Sequence, residues 1–284
     1  REKLRTNFKQ NEYWDLEGTF SKNNENIFSK LISIAGIKVA TGNSFNRITG
    51  ELEKKDSAIL NKKDAEKLSN KIKNNNWAVS DIETKPKTQN PYPPFITSTL
   101  QQEGIRKLRM NSNQIMRVAQ GLYENGYITY MRTDSIHLSN EALNASRQVI
   151  EKKYGKDYLP KSPKVYKSKS KNAQEAHEAI RPAGSSFKDP QKIKNQLTDQ
   201  EYKLYDLIWK RTVASQMESA KIEQTKLTIS DNEHIFTASG KTIIFPGFLR
   251  AYVEGSDDPN ANLDDMEKVL PKVKKGDSLS CVLI

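Results

Sequence analysis

Apolar and polar residues repeat with two different periods along this chain, and the switch between periods divides it into three stretches. From Tyr13 to Phe20 the apolar positions alternate as in a half-buried strand. Phe28 to Val39 is apolar and β-branched, again strand-like. Asn61 to Asn74 predicts a helix with Ala65, Leu68 and Ile72 on one face, and Trp77 to Ile82 predicts another strand. The proline-rich connector from Lys85 to Pro94 is the best domain boundary in the chain. Beyond it the period becomes helical. Ser98 followed by Gln101 reads as a capping box opening a helix that carries Leu100, Ile105 and Leu108. A second helix, from about Asn113, buries Ile115, Met116, Ala119 and Leu122 and stops at Asn125-Gly126. Ser139 caps a third, with Leu143, Val149 and Ile150, ending near Gly155. Thr198 and Glu201 form another capping box, starting a helix with Tyr202, Tyr205, Ile208 and Trp209 inward. From Ile222 strands return at 222–230, 234–239 and 241–245, with Ser239-Gly240 as a tight turn.

The expected class is therefore α+β and multidomain, with a helical domain (91–218) inserted between two halves of a β-rich domain (13–90 and 219–284). The 284 residues suit one large domain or two modest ones. A net charge of +11 points to a polyanionic partner, although excess lysine also serves merely to solubilise a surface. A mean hydropathy of -0.78 and the lack of any long apolar run argue against a membrane span. The single cysteine, Cys281, excludes an internal disulfide framework and a cysteine-rich metal site. The chain opens on Arg1 and stops in the apolar run Leu279–Ile284, so it is expected to be a fragment of a longer protein.

Candidate chemistry concentrates in Gly126-Tyr127-Ile128-Thr129-Tyr130-Met131-Arg132-Thr133-Asp134-Ser135. Tyr130 and Arg132 are two apart, so on an extended backbone they share a face. A phenol needs help to act as a nucleophile at neutral pH, since its ordinary pKa is about 10. A neighbouring guanidinium favours the phenolate and holds a phosphate. An isolated Tyr-x-Arg is more often a core strand, so the surroundings decide.

Those surroundings resemble a family. Thr129–Ser135 is similar to the active-tyrosine segment of type IA DNA topoisomerases, the bacterial topoisomerase I group. Pro94-Phe95-Ile96-Thr97-Ser98-Thr99-Leu100-Gln101-Gln102 precedes it, while Ala173–Pro182 and Ile208-Trp209-Lys210-Arg211 follow in the family's order. The resemblance covers nearly the whole chain and is weakest in 20–90 and 250–284. It implies a helical tyrosine domain carried on a β-rich arch, with residues 1–12 as the tail of a preceding helical domain. It implies Tyr130 as nucleophile, Arg132 and His177 as catalytic partners near the scissile phosphate, and Thr129 and Asp134 in support. It also implies a link from tyrosine to the 5′ phosphate, with no need of ATP. The partner would be single-stranded or underwound DNA, handled by a monomer in the cytoplasm at the nucleoid. The family uses Mg²⁺ held by an amino-terminal domain, and this chain contains no Asp-x-Asp-x-Glu cluster to replace it. Asp257-Asp258 and Asp264-Asp265 read as solvated turn residues.

Several assignments stay open at this level. Asp134 also suits an N-cap or turn, and His177 also suits a structural role. Arg181 serves either a backbone phosphate or a helix end. Gln101, Gln102, Arg106 and Lys107 either touch DNA or cover surface. Lys161, Lys164, Lys167, Lys169 and Lys171 form a basic loop that is either solvated or DNA-attracting. Tyr92, Tyr123 and Tyr127 either pack or stack on bases, whereas His137 and His234 read as surface or structural. The rival to an enzyme is a basic, non-catalytic DNA-binding module with a packed tyrosine.

Overall fold

The computed structural model describes residues 8–53, 56–166, 177–253 and 267–284. Its contacts divide the chain into a β-rich unit (residues up to Pro86, Glu223–Thr242 and from Glu267) and a helical unit (Lys87–Ile222 and from Ile243).

In the β-rich unit, strands β1 (Glu17–Lys22) and β2 (Glu25–Ile34) form an antiparallel hairpin. Asn23 and Asn24 connect them, both at positive φ, which is the backbone a two-residue turn needs and asparagine tolerates. The stretch from Phe28 to Val39, expected as one strand, is two. Ala35 and Gly36 take positive φ and turn the chain back into β3 (Ile37–Val39). The short β4 (Ser57–Ala58) pairs with β3 in parallel. Helix α1 (Lys62–Ile72) begins where Asn61 accepts the Asp64 N–H, and it buries Ala65 and Ile72. Strand β5 (Trp77–Gln89) runs well beyond Ile82, through part of the proline-rich connector.

Strands β6 (Ala220–Ser230), β7 (His234–Phe245) and β8 (Ser278–Leu283) complete an eight-stranded order β1-β8-β5-β6-β7-β2-β3-β4. Because β1 also pairs with β2, six of the strands return on themselves, which leaves few backbone groups at open edges. Inside lie Phe20, Trp77 and Phe236, whose rings meet edge to face at 5.0–5.3 Å. The tight turn expected at Ser239-Gly240 does not occur. β7 passes straight through, and Gly240 is there because a Cβ would sit 2.8 Å from Leu270 Cγ.

The helical unit contains α2 (Thr97–Leu108), α3 (Ser112–Glu124), α4 (Asn140–Tyr154), the short α5 (Pro190–Ile193) and α6 (Asp199–Ser215). Helix α6 is its axis. Residues 204–217 are buried almost all round apart from Asp206 and Lys210, and α2, α3 and α4 pack against it. Thr198 and Ser139 cap α6 and α4 as expected. Helix α2 differs: it starts two residues early, with Ile96 rather than Ser98 at the N-cap, and the Thr99 hydroxyl accepts the Ile96 N–H at 3.0 Å. Ile105, expected inward, is exposed; Leu100 and Glu103 face the core instead. Phe248, Leu249, Ala251 and Tyr252 belong to this helical core, whereas the periodicity assigned everything after 219 to the β-rich part.

Candidate functional site

The segment after α3 leaves regular structure at Gly126, whose φ of +71° stops the helix in a backbone other residues resist. From Tyr130 to Ser135 exposure alternates: Tyr130, Arg132 and Asp134 are exposed and Met131, Thr133 and Ser135 are buried, while Ile128 just before them is buried too. Tyr130 and Arg132 are thus both exposed, two residues apart on a backbone that is not an extended strand.

Two threonines hold this irregular segment. On one side the Thr129 hydroxyl donates to the Ala179 carbonyl at 2.8 Å and accepts the Arg181 N–H at 3.0 Å, while the Thr129 N–H donates to the Arg181 carbonyl at 2.9 Å. On the other side the Thr97 hydroxyl donates to the Met131 and Thr133 carbonyls at 2.8 and 3.0 Å and accepts the Thr133 N–H at 2.9 Å. The Thr97 N–H also donates to the Thr133 carbonyl, at 2.9 Å. Isolated bridges from Phe95 to Ile180 and from Ile128 to Pro182 join the three motifs into one patch. This network explains the early start of α2: its first residue is drawn to residues 131–133, so Ser98 never becomes the cap.

Tyr130 is 39% exposed, and its ring lies edge-on to Tyr123 at 5.3 Å and 6.4 Å from the His177 ring. Other phenols of the unit are placed differently. Burial pushes Tyr154 up to about 12 and raises Tyr166 and Tyr205 further, while Tyr166 and Tyr205 donate to the Ser215 and Lys188 carbonyls. Such groups stay protonated and internal. Tyr130 instead is exposed, beside the His177 imidazole.

Arg181 closes one open assignment against DNA contact. Its guanidinium is buried, paired with Glu178 at 2.6 Å, and donates to the Pro182 and Gly184 carbonyls. It folds the 178–184 turn and is not placed to meet a phosphate. Glu178, which the sequence reading passed over, also accepts the Ser139 N–H at 2.6 Å and so ties this turn to the start of α4. Burial acts to raise the Glu178 carboxyl, but the Ser139 and Arg181 hydrogen bonds and the Arg181 charge outweigh it and hold it below the usual glutamate range.

Asp134 is exposed and is not an N-cap, since that position belongs to Ser139. Gln101 is half-buried one turn beyond Thr97 on α2. Arg106 and Lys107 are turned toward the buried Glu103, and Lys107 lies 4.4 Å from the Tyr252 ring, so both belong to an internal cluster. Lys164 reaches Ser219 at 3.1 Å, while Lys167, Lys169 and Lys171 lie outside the described residues. Arg211, from the last motif, is buried and donates to the Pro93 carbonyl at 2.6 Å, stacking among Tyr92, Phe95 and Tyr252. It anchors the segment leading into Thr97. His234 is buried against Asp231 at 2.9 Å, in keeping with a structural role. Among the described residues no group of three or more His, Cys, Asp or Glu side chains is arranged to hold a metal ion, so they do not fit a resident Mg²⁺. The paired aspartates at 257–258 and 264–265 lie outside the described residues. No helix among the described residues is long and apolar enough to cross a membrane.

Comparison with known proteins agrees with the motif order. A family model described as DNA topoisomerase matches residues 1–283. The chain is 50% identical over 282 residues to the DNA topoisomerase 1 of Synechococcus elongatus, covering 99% of this chain and 32% of that protein. It is 48% identical over 292 residues to the DNA topoisomerase 1 of Streptomyces coelicolor, covering 99% and 30%. Its fold is similar to full-length topoisomerase I from Thermotoga maritima, with a TM-score of 0.67, 25% identity, and coverage of 98% of this chain and 40% of that one. The chain spans about a third of the length of these curated relatives. On the family match and these identities, the chain belongs to the bacterial DNA topoisomerase family.

Proposed function

We propose that this chain carries the nucleophile of a type IA DNA topoisomerase, and that the whole protein cuts one DNA strand, passes a strand through the break and reseals it, relaxing negative supercoils. The reading rests on one observation above the others: an exposed Tyr130 beside His177, two residues from an exposed Arg132, in a segment clamped by Thr97 and Thr129. In the proposed step the Tyr130 oxygen attacks the phosphorus. A tyrosine–5′-phosphate bond forms as the bond to the 3′ oxygen breaks, and that oxygen leaves as a hydroxyl, taking up the proton the phenol gives up. Arg132 stabilises the phosphate oxygens as charge grows, and the His177 imidazole adds a second contact. The phosphotyrosine ester retains the energy of the broken phosphodiester, so resealing requires no ATP. The partner on this reading is single-stranded or underwound DNA, met by a monomer in the cytoplasm at the nucleoid.

The test is covalent trapping. Tyr130→Phe in the full-length protein removes one oxygen and keeps the packing surface, so it is expected to abolish the denaturant-resistant DNA adduct while leaving DNA binding nearly intact. An adduct that persists in this variant would show that Tyr130 is not the nucleophile. The chain 1–284 alone is expected to bind single-stranded DNA weakly, with affinity falling as salt rises, and not to relax supercoiled DNA.

A further inference from the structure

In the helical unit, α4 and the segment entering α5 enclose a cleft of about 520 Å³, within the range of roughly 300–1,000 Å³ common for small-molecule sites. None of Tyr130, Arg132 and His177 lines it. Its rim carries Lys152 and Lys153 from the last turn of α4, and Lys188 and Lys192 from the facing segment. One carboxylate, Asp189, lies among these four cations; it pairs with Lys153 at 3.2 Å and accepts the Gln191 N–H at 3.0 Å. Three positive charges are therefore in excess along the rim, one of them, Lys188, lying 4.8 Å from the Tyr127 ring, and this excess favours an anion there.

The wall of the cleft is of a different kind. Val149, Phe187 and Trp209 contribute apolar surface, and Lys153 lies 4.7 Å from the Trp209 ring. Trp209 is 2% exposed, so its ring backs the wall rather than reaching into the cleft. Inorganic phosphate would answer the lysines and leave the apolar wall unused.

We propose that this cleft binds a nucleoside phosphate unit, with the phosphate among Lys152, Lys188 and Lys192 and the base against Val149 and Phe187. A free nucleotide and a nucleotide within a DNA strand share this chemistry. No bond is made or broken in the cleft, which holds its ligand by charge and apolar contact.

The chain 1–284 is titrated with ADP, with inorganic pyrophosphate and with a short oligodeoxyadenylate, followed by indole fluorescence and by calorimetry. Saturable ADP binding is expected, weakened at least about tenfold by the exposed pair Lys188→Gln and Lys192→Gln through loss of two charge-assisted contacts. Trp209→Phe is expected to abolish the fluorescence response that Trp14 and Trp77 cannot supply. Because Trp209 is in the core, circular dichroism checks that variant, and the surface lysine pair keeps the test valid if it misfolds. An oligodeoxyadenylate that displaces ADP identifies the DNA strand as the source, and one that binds alongside ADP identifies the free nucleotide. The proposal is overturned if pyrophosphate binds as tightly as ADP. It is equally overturned if the lysine pair leaves both ADP and oligonucleotide binding unchanged, or if neither probe binds saturably.

Discussion

The β-rich unit and the Tyr130 segment are held in opposite ways. In the β-rich unit, order is distributed. Backbone ladders run along six strands that return on themselves, and Phe20, Trp77 and Phe236 fill the inside. The Tyr130 segment has no strand or helix of its own, and its path rests on a few side-chain hydroxyls that reach carbonyls far away in sequence. A distributed ladder tolerates the loss of one contact. A segment held by two threonines does not. This contrast separates stability from the geometry of the proposed chemistry, and substitutions can probe each side of it.

The largest effect on folding is expected in the ladder region. Phe236→Ala deletes a fully buried ring and should cost about 3–5 kcal/mol. Urea unfolding of the 1–284 chain would measure it. Trapping of full-length protein that remains folded should be unchanged, and a specific loss of adduct there would blur the contrast.

Thr97→Val is the matching change in the clamp. It keeps the shape but leaves the Thr133 N–H and the Met131 carbonyl without their partner, at a cost of about 1–3 kcal/mol. Adduct yield per folded full-length molecule should fall by more than stability alone accounts for. Thr97→Ser, which restores the hydroxyl, should recover most of it. Failure of serine to rescue would show that the hydroxyl is not what positions Tyr130.

Acid should loosen the other side of the patch more modestly. The Glu178 carboxyl is held below its ordinary value in the fold, so its contribution is fully present above the unfolded glutamate value and disappears as pH falls through the lower native one. Unfolding of wild type and Glu178→Gln is expected to differ near neutrality and to converge below that window. Curves that stay parallel down to strong acid would remove Glu178 from the clamp.

The smallest effect on stability belongs to His177→Ala. This side chain is exposed and touches Tyr130 only through its ring, so the change should stay within about 0.5 kcal/mol in unfolding. Relaxation by the full-length protein should nevertheless drop. A large fall in melting temperature with normal activity would make His177 structural.

What was legible in the sequence was local. The caps at Ser139 and Thr198 are in place because a capping side chain acts within three residues of itself, and Gly126 stops α3 through its own φ. Local signals misled where a distant group intervened. Gly240 looked like a turn and is a strand residue kept small by Leu270. Phe28–Val39 looked like one strand because a single glycine, Gly36, marks its turn, and its partner Ala35 carries no turn signal.

By itself the sequence placed a phenol, a guanidinium and a carboxylate within one short segment after a helix-stopping glycine, since covalent spacing needs no fold. It also determined the family, through motifs whose order survives in a linear string. Only the tertiary structure decided which residues hold that segment in place. Thr97 lies 34 and 36 residues from the carbonyls it holds, and Thr129 lies 50 from Ala179. It also decided that Arg181, chemically suited to a phosphate, is instead enclosed by Glu178 and two carbonyls. A hydroxyl or a guanidinium carries its chemistry wherever it stands, but its partner is set by how far the chain must fold back to bring one within 3 Å.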